Sequence, residues 1–523
     1  MIRKLLSRGF AKKAIIAFLI LVQFVLLLVL FLWLSGFSGL NPAWVIIIVV
    51  ALCAASDVAG FYILNSTSSD AYRLSWMLVV FVLPGVGLFL YLFFANKQNT
   101  RRVRDGTRKV VLPVIEQDWD EEEKEGLRKS SDPCYNISCF LYNVDKIIPY
   151  RRSSVEYFPL ADFVLDPMLR ELSKAKHYIF IEFFIIEEKG VFFSSMLEIL
   201  RKKAADGVDV RIIYDDVGSL TTVDDSFPER MERLGIKVTP FNRFRPLLDV
   251  RQNNRNHRKM LIVDGHTAFT GGFNIADEYL NKKERFGHWK DNAILVRGEA
   301  VTAYTLTFLS DWLLSHPGEV IDKASYHSSA HIDEIGGYPE EEGYVEPYAD
   351  LPYDGEAVGE RVYLSIIERA TKYVYIATPY LIMDSEMENA LCFAAKSGVD
   401  VRVLTPHIPD KKAVFGLTRS NYKKLLQSGA KVYEYTPGFV HEKMFVSDDA
   451  IATVGTINLD YRSLYLHFEN GTLLYGHPAI KNMKRDYLDT IAVSKQVTPE
   501  DYARWERKNK YYWGLLKAIA PFL

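Results

Sequence analysis

The sequence predicts an α/β protein made of two similar halves, each a sheet flanked by helices, preceded by membrane-spanning helices. Three observations carry this. Long apolar runs fill the first hundred residues. A strand–helix–strand unit then occurs twice, and Gly207-Val208-Asp209-Val210-Arg211 returns word for word as Gly398-Val399-Asp400-Val401-Arg402. Finally, the spacing H-x-K-x4-D occurs at His257, Lys259 and Asp264 and again at His441, Lys443 and Asp448. An internal repeat of this kind is one structural unit used twice.

Taken in order, residues 1–100 read as a membrane anchor with two or three transmembrane helices. Residues 14–34 carry no charge, residues 44–64 carry only Asp57, and residues 76–94 carry none but contain Pro84. Each run is long enough to cross the hydrocarbon core, which takes about 20 residues. The basic head (Arg3, Lys4, Arg8, Lys12, Lys13) precedes a run too long for a signal peptide, with no clear cleavage site. Lys97, Arg101, Arg102 and Arg104 follow the third run, so both flanks are basic. Three spans would place those flanks on opposite sides. Two spans plus one re-entrant or surface segment would place both in the cytoplasm. Asp57 marks the second run as the one expected to deviate, because a charge at mid-span costs about 3 kcal/mol on insertion scales.

Residues 101–150 read as a polar connector whose acidic run (Asp118, Asp120, Glu121, Glu122, Glu123, Glu125) is solvated surface. The first half spans 151–316, with strands at 178–186 and 208–214 around a helix at 193–205 that Gly207 terminates. Residues 317–350, acidic and rich in Gly, Tyr and Pro, form a linker. The second half spans 351–500, with strands at 373–377 and 399–404 around a helix at 387–396. Residues 501–523 mix Trp505, Tyr511, Tyr512, Trp513, Leu515 and Leu516 with Lys and Arg. That composition suits an interfacial amphipathic helix, or a helix packed on the domain.

Composition narrows the function. A net charge of −2 argues against nucleic acid as a partner. Four cysteines are too few for a disulfide framework, and the close pair Cys134 and Cys139 lacks the companions a zinc site needs.

The chemistry lies in the duplicated set. On a strand, residues two apart share a face, so each His stands beside a Lys. In both copies a Gly follows the His by fourteen residues (Gly271, Gly455) and an Asn by seventeen (Asn274, Asn458). One His–Lys pair binds an anion. Two pairs can divide phosphodiester chemistry between a nucleophile and an acid for the leaving oxygen. The lysines suit the non-bridging phosphate oxygens, and the Asn amides can donate to the same oxygens. Gly271, Gly272 and Gly455 would let the backbone approach the ligand. Asp264 and Asp448 belong to the motif, but their place at a hairpin turn favours a structural role. Two lysines do the work of a divalent ion, so no metal and no other cofactor is expected.

These motifs resemble the phospholipase D superfamily and, within it, the bacterial cardiolipin synthases. The resemblance includes Tyr214-Asp215-Asp216-Val217-Gly218-Ser219, Gly271-Gly272-Phe273-Asn274-Ile275, Thr378-Pro379-Tyr380, Asn458-Leu459-Asp460-Tyr461-Arg462-Ser463 and Phe468-Glu469. It runs from about residue 75 to the C-terminus, departing at Thr456, where Ser is common, and at His467, where Asn is usual. It implies two phospholipase D-like halves forming one pseudo-twofold catalytic unit, in a multi-pass protein of the bacterial cell membrane with that unit in the cytoplasm. It also implies phosphatidyl transfer between two phosphatidylglycerol molecules, through a phosphohistidine, to give cardiolipin and glycerol. Asp291 and Glu469 match its histidine-orienting acids, and its precedent makes His257 the nucleophile and His441 the acid. Either histidine could attack on the motif alone. A hydrolase or another phosphatidyltransferase would use the same residues. A non-catalytic lipid-binding protein would be natural only with a His or Lys missing, and the membrane segments argue against a nuclease. Oligomeric state stays open.

Overall fold

The computed structural model describes residues 41–66, 70–95, 97–130, 132–243, 254–352 and 356–522. They fall into two compact units. One comprises the described residues up to Thr100 together with those from Gly514 onward; the other comprises the described residues between Arg101 and Trp513.

In the larger unit the sequence repeat becomes a repeat of sheet order. The first half contributes β1 (Ser153–Phe158), β2 (Tyr178–Phe183), β3 (Asp209–Asp215), β4 (Lys237–Phe241), β5 (Lys259–Val263), β6 (Thr267–Gly271), β7 (His288–Lys290) and β8 (Ala293–Gly298). The second contributes β9 (Tyr344–Asp350), β10 (Tyr373–Ala377), β11 (Asp400–Pro406), β12 (Lys431–Tyr435), β13 (Gly438–Val440), β14 (Met444–Ser447), β15 (Ile451–Gly455), β16 (Glu469–Tyr475) and β17 (Lys495–Gln496). The first sheet runs β1-β8-β6-β5-β2-β3-β4; the second runs β9-β16-β15-β14-β10-β11-β12-β17. Strand for strand the order is the same, with β17 as one extra edge.

Local chemistry explains the elements. β2 and β10 are buried on both faces, so they read as nearly continuous apolar runs, interrupted in β2 only by the buried Glu182, instead of alternating ones. The helices between parallel strands, Val191–Ala205 and Ser385–Lys396, lie within two residues of their expected starts. Asp384 caps the second by accepting from Met387 N–H. Helix Val301–Ser315, buried from Val301 to Trp312, packs on β2 and β5 and also on β9 of the other half. Its counterpart Ala479–Ala492 packs on β10 and β14 and also on β1. Each half thus lends a helix to its neighbour. The parallel pair β7–β13 joins the two halves directly.

Two expectations are corrected here. The linker ends early, because β9 pairs with β16 along its full length and belongs to the second sheet. The connector is helical, as Lys97–Ile115, Glu121–Ser130 and Asp132–Asp145. Its acidic run starts the middle helix, where carboxylates complement the N-terminal dipole, while Leu127, Ile137 and Leu141 are buried.

In the N-terminal unit, residues 14–34 and the basic head lie outside the described residues. Helix Pro42–Leu64 is continuous and apolar enough to span a membrane in spite of Asp57. The deviation falls instead on the third apolar run, which splits into Asp70–Val82 and Val86–Phe94. Trp76 and Tyr91 are fifteen residues apart, roughly 22 Å along one helix, yet their ring centroids are 5.4 Å apart. The run therefore doubles back at Leu83-Pro84-Gly85. Gly85 sits at φ 80°, and a Cβ on Gly87 would fall 2.2 Å from the Val79 carbonyl oxygen, so this reversal depends on both glycines. The C-terminal helix, Pro499–Ile519, ends in this unit: Ser75 donates to the Ala518 carbonyl and Phe522 packs edge-on against Trp76.

Candidate active site

His257 and His441 precede β5 and β14, the equivalent strands of the two sheets. Each imidazole pairs with a carboxylate from the opposite half. His257 Nδ1 lies 2.9 Å from both carboxylate oxygens of Glu469, at the start of β16. His441 Nδ1 lies 2.7 Å from Asp291 Oδ2, just before β8. Backbone bonds follow the same exchange: His257 N–H donates to the Phe468 carbonyl and His441 N–H to the Lys290 carbonyl. Both carboxylates are fully buried and both histidines nearly so. The two orienting acids read from the sequence resemblance are therefore brought to the histidines, and neither His set is complete within its own half.

Lys259 and Lys443 are buried beside the rings, with Nζ of each donating to the carbonyl of its histidine. Burial pushes Lys259 down to about 7 and Lys443 to about 8. Burial likewise pushes His257 down to about 3 and His441 well below the usual range; the nearby lysines add to both shifts. The carboxylates diverge. Burial pushes Asp291 up to about 7, whereas His257 and His467 hold Glu469 well below the usual range despite its burial. Glu469 also accepts from Thr456 Oγ1, the Thr that stands where Ser is common.

Asn274 does not hold a free amide toward the site. Its Oδ1 accepts from Ile185 N–H and its Nδ2 donates to Tyr279 Oη at 2.6 Å, so it positions a tyrosine whose ring lies 5.4 Å from that of His441. Asn458, at the equivalent place, leaves Oδ1 buried without a hydrogen-bond partner. Asp264 and Asp448 are not in the reactive cluster. Each lies seven positions beyond its histidine, past the far end of β5 or β14, up to about 23 Å away at 3.3 Å per residue. Asp264 accepts from the N–H groups of Lys176, His177 and Tyr178, and Asp448 from those of Thr371, Lys372 and Tyr373. They tie each hairpin turn to the start of the central strand. Gly271 and Gly455 face protein instead of ligand: a Cβ would fall 2.3 Å from the Asn292 carbonyl and 2.4 Å from the Asn470 carbonyl. Gly272 is closed by the Asp291 carboxylate, 2.1 Å from where its Cβ would lie.

Sequence reading passed over Tyr279 and the middle residue of each H-x-K. Arg258 is buried against Asp311, and Glu442 against Lys290, which also binds Asp486. The available signal was alternation: the middle residue faces away from its His and Lys, and a charge there on a buried strand needs a partner. Asp215, from the quoted Tyr214–Ser219 stretch, accepts from Asn256 N–H and Gly218 N–H, fixing the approach to His257.

Comparison with known proteins agrees with this geometry. The family model described as "Cardiolipin synthase, PLD-like domain" matches residues 168–312 and 363–490, and one described as "Phospholipase_D-nuclease N-terminal" matches residues 56–96. Cardiolipin synthase 1 of Staphylococcus aureus is 34% identical over 468 residues, 86% of this chain and 91% of the relative. Cardiolipin synthase of Halalkalibacterium halodurans is 32% identical over 472 residues, 89% and 90%. An uncharacterized protein of Streptococcus mutans is 39% identical over 465 residues, 88% and 99%. The crystal structure of phosphatidylserine synthase from Haemophilus influenzae shares the fold at TM-score 0.54 and 17% identity, covering 75% of this chain and all of its own. With both halves matched by one family model and relatives aligned along nearly their whole length, the chain belongs to the PLD-like cardiolipin synthase family.

Proposed function

We propose that the chain is a cardiolipin synthase, transferring a phosphatidyl group from one phosphatidylglycerol to another and releasing glycerol through a phosphohistidine. The observation that carries this reading is the crossed pairing of two His–Lys sets with Glu469 and Asp291. It places two imidazoles, each with Nδ1 held by a carboxylate, in one buried site with two lysines. The related cardiolipin synthases bring the lipid substrates.

His257 is the nucleophile in this scheme. Glu469 stays ionised and fixes the Nδ1–H tautomer, leaving the Nε2 lone pair to attack phosphorus. The His441–Asp291 pair is the acid: with Asp291 near 7, the pair retains a proton at neutral pH for the departing glycerol oxygen. The P–O bond to glycerol breaks as the P–N bond forms. His441 then takes a proton from the second phosphatidylglycerol hydroxyl, which displaces His257. Lys259 and Lys443 balance charge on the non-bridging oxygens.

The doubled-back segment favours a topology in which residues 14–34 and helix Pro42–Leu64 both cross the membrane and residues 70–94 enter and return. Both basic flanks then face the cytoplasm with the catalytic unit. The experiment is incubation of the purified protein with phosphatidylglycerol in mixed micelles containing a chelator. Cardiolipin and glycerol in equal amounts are expected. Phosphatidic acid as the main product assigns a hydrolase instead, and loss of the initial rate with chelator overturns the metal-free scheme.

A further inference from the structure

One imidazole of the catalytic centre is left over from the transfer scheme. His467 stands two residues before Glu469, as Trp289 stands two residues before Asp291, so the two occupy equivalent places in the repeated fold. Each sets a ring against the catalytic histidine of the opposite half. Trp289 lies 5.5 Å from His441 at 47°, and His467 lies 5.7 Å from His257 at 49°. The indole packs on Tyr279, Phe286 and Phe439. An imidazole brings two ring nitrogens to the same kind of place. Its side chain is 11% exposed, and among the described residues neither ring nitrogen has a hydrogen-bond partner. Nδ1 approaches Glu469 Oε1 at 3.6 Å, too far for a hydrogen bond. The ring is nonetheless well placed: His467 N–H donates to the Arg462 carbonyl, and the next residue, Phe468, donates to Arg255 and accepts from His257 N–H. Buried polar groups left unpaired cost stability, so such a ring beside a nucleophile points to a partner that the substrate supplies.

We propose that His467 binds the phosphate of the lipid, donating from Nε2 to a non-bridging oxygen while Nδ1–H closes onto Glu469. The inference rests on the proposed phosphatidyl transfer and adds a third phosphate-binding group to Lys259 and Lys443. Nδ1 is the nitrogen beside the acid, so Nε2 lies at the opposite edge of the ring. Phosphorus must come within bonding distance of His257 Nε2, which brings its oxygens near a ring centred 5.7 Å from that of His257. Two anions then decide the form of the ring. A neutral imidazole has one N–H and one lone pair. Giving the N–H to phosphate would turn the lone pair on Glu469, and giving it to Glu469 would turn the lone pair on phosphate. Only the imidazolium satisfies both, so phosphate binding draws a proton from solvent onto His467. The charged groups around it are Glu469 on β16, Asp215 with its partner Arg255 at the end of β3, and His257 with Lys259 at β5. The two carboxylates favour the added proton and the cations oppose it. The arriving phosphate tips that balance.

The test is isothermal calorimetry of tungstate binding to the full-length protein in detergent, at pH 8, in two buffers of different ionisation heat. Parent, His467→Asn and His467→Gln are compared, since neither amide can take a proton. Parent protein should take up about one proton more per tungstate than either variant. Its affinity should therefore fall about tenfold more steeply per pH unit between pH 8 and 9. Equal proton uptake with parallel affinity slopes overturns the inference. If that same parent makes cardiolipin, the proposed function stands without it. A parent that neither binds tungstate nor makes cardiolipin overturns both.

Discussion

The two histidine sets occupy equivalent strands but do not have equivalent surroundings. Around His257, Glu469 presents both oxygens, is braced by Thr456, and has a second imidazole, His467, with Nδ1 at 3.6 Å. Around His441, Asp291 presents one oxygen and Lys443 Nζ lies 2.9 and 3.1 Å from the two ring nitrogens. One acid is held ionised and the other is pushed up to about 7. Duplication supplies two similar places to bind a phosphate. In the proposed scheme the difference between them supplies a direction, with a lone pair on one side and a proton on the other.

Removing either ring should have the largest effect. His257→Ala and His441→Ala should each reduce cardiolipin formation by about 10⁴-fold or more, measured as initial rate. The orienting acids sharpen the comparison. Glu469→Gln should cost roughly 10²–10⁴ in kcat, because a fixed anion and tautomer are lost. Asp291→Asn should cost at least tenfold less, since Asp291 already shares a proton. Equal losses would mean the two acids do the same work.

The lysines make opposite predictions for binding and stability. Folded-state values near 7 and 8 lie below the unfolded value of about 10.4. Between pH 7 and 9 the unfolded chain holds protons that the native state releases, so ligand-free stability should rise with pH. Binding of a phosphate analogue needs the ammonium form, so its affinity should fall over the same range. Calorimetric melting and a tungstate titration check the two signs, and trends in the same direction would contradict the assignment.

Smaller effects separate structure from chemistry at the remaining motif positions. Asn274→Ala and Asp264→Ala strand buried or partly buried donors and should cost about 1–3 kcal/mol of stability; Asp448→Ala, whose donors on Thr371 and Lys372 are exposed, should cost less, and in each case kcat in the surviving protein should stay within a few-fold of the parent. Asn458→Ala, which breaks no bond through Oδ1, should act on KM instead.

Much of this was legible in the chain because it was written twice. The repeated Gly-Val-Asp-Val-Arg words located the starts of β3 and β11 to within a residue, and two H-x-K sets located the candidate reactive residues. What stayed hidden was relational. No local pattern says that His257 meets an acid 212 positions away while His441 meets one 150 positions back; only superfamily likeness paired them. Asn274 was misplaced because spacing gives a position and not a partner, and Tyr279 absorbs its amide. The reversal at residues 83–85 was also obscured: Asp57 drew attention as the costly charge, yet a helix tolerates one charge more readily than it tolerates Pro84 followed by Gly85.

The central claim is that His257 attacks and His441 protonates. The most direct measurement is mass spectrometry of peptides, quenched and kept out of acid to preserve the labile P–N bond, from enzyme given a phosphatidyl ester with a good leaving group. Such a substrate needs no proton donor, so His441→Ala should accumulate a phosphatidyl adduct on His257 and then stall, while His257→Ala should form none. An adduct on His441, retained in His257→Ala, would reverse the direction. No adduct on either histidine would contradict covalent catalysis.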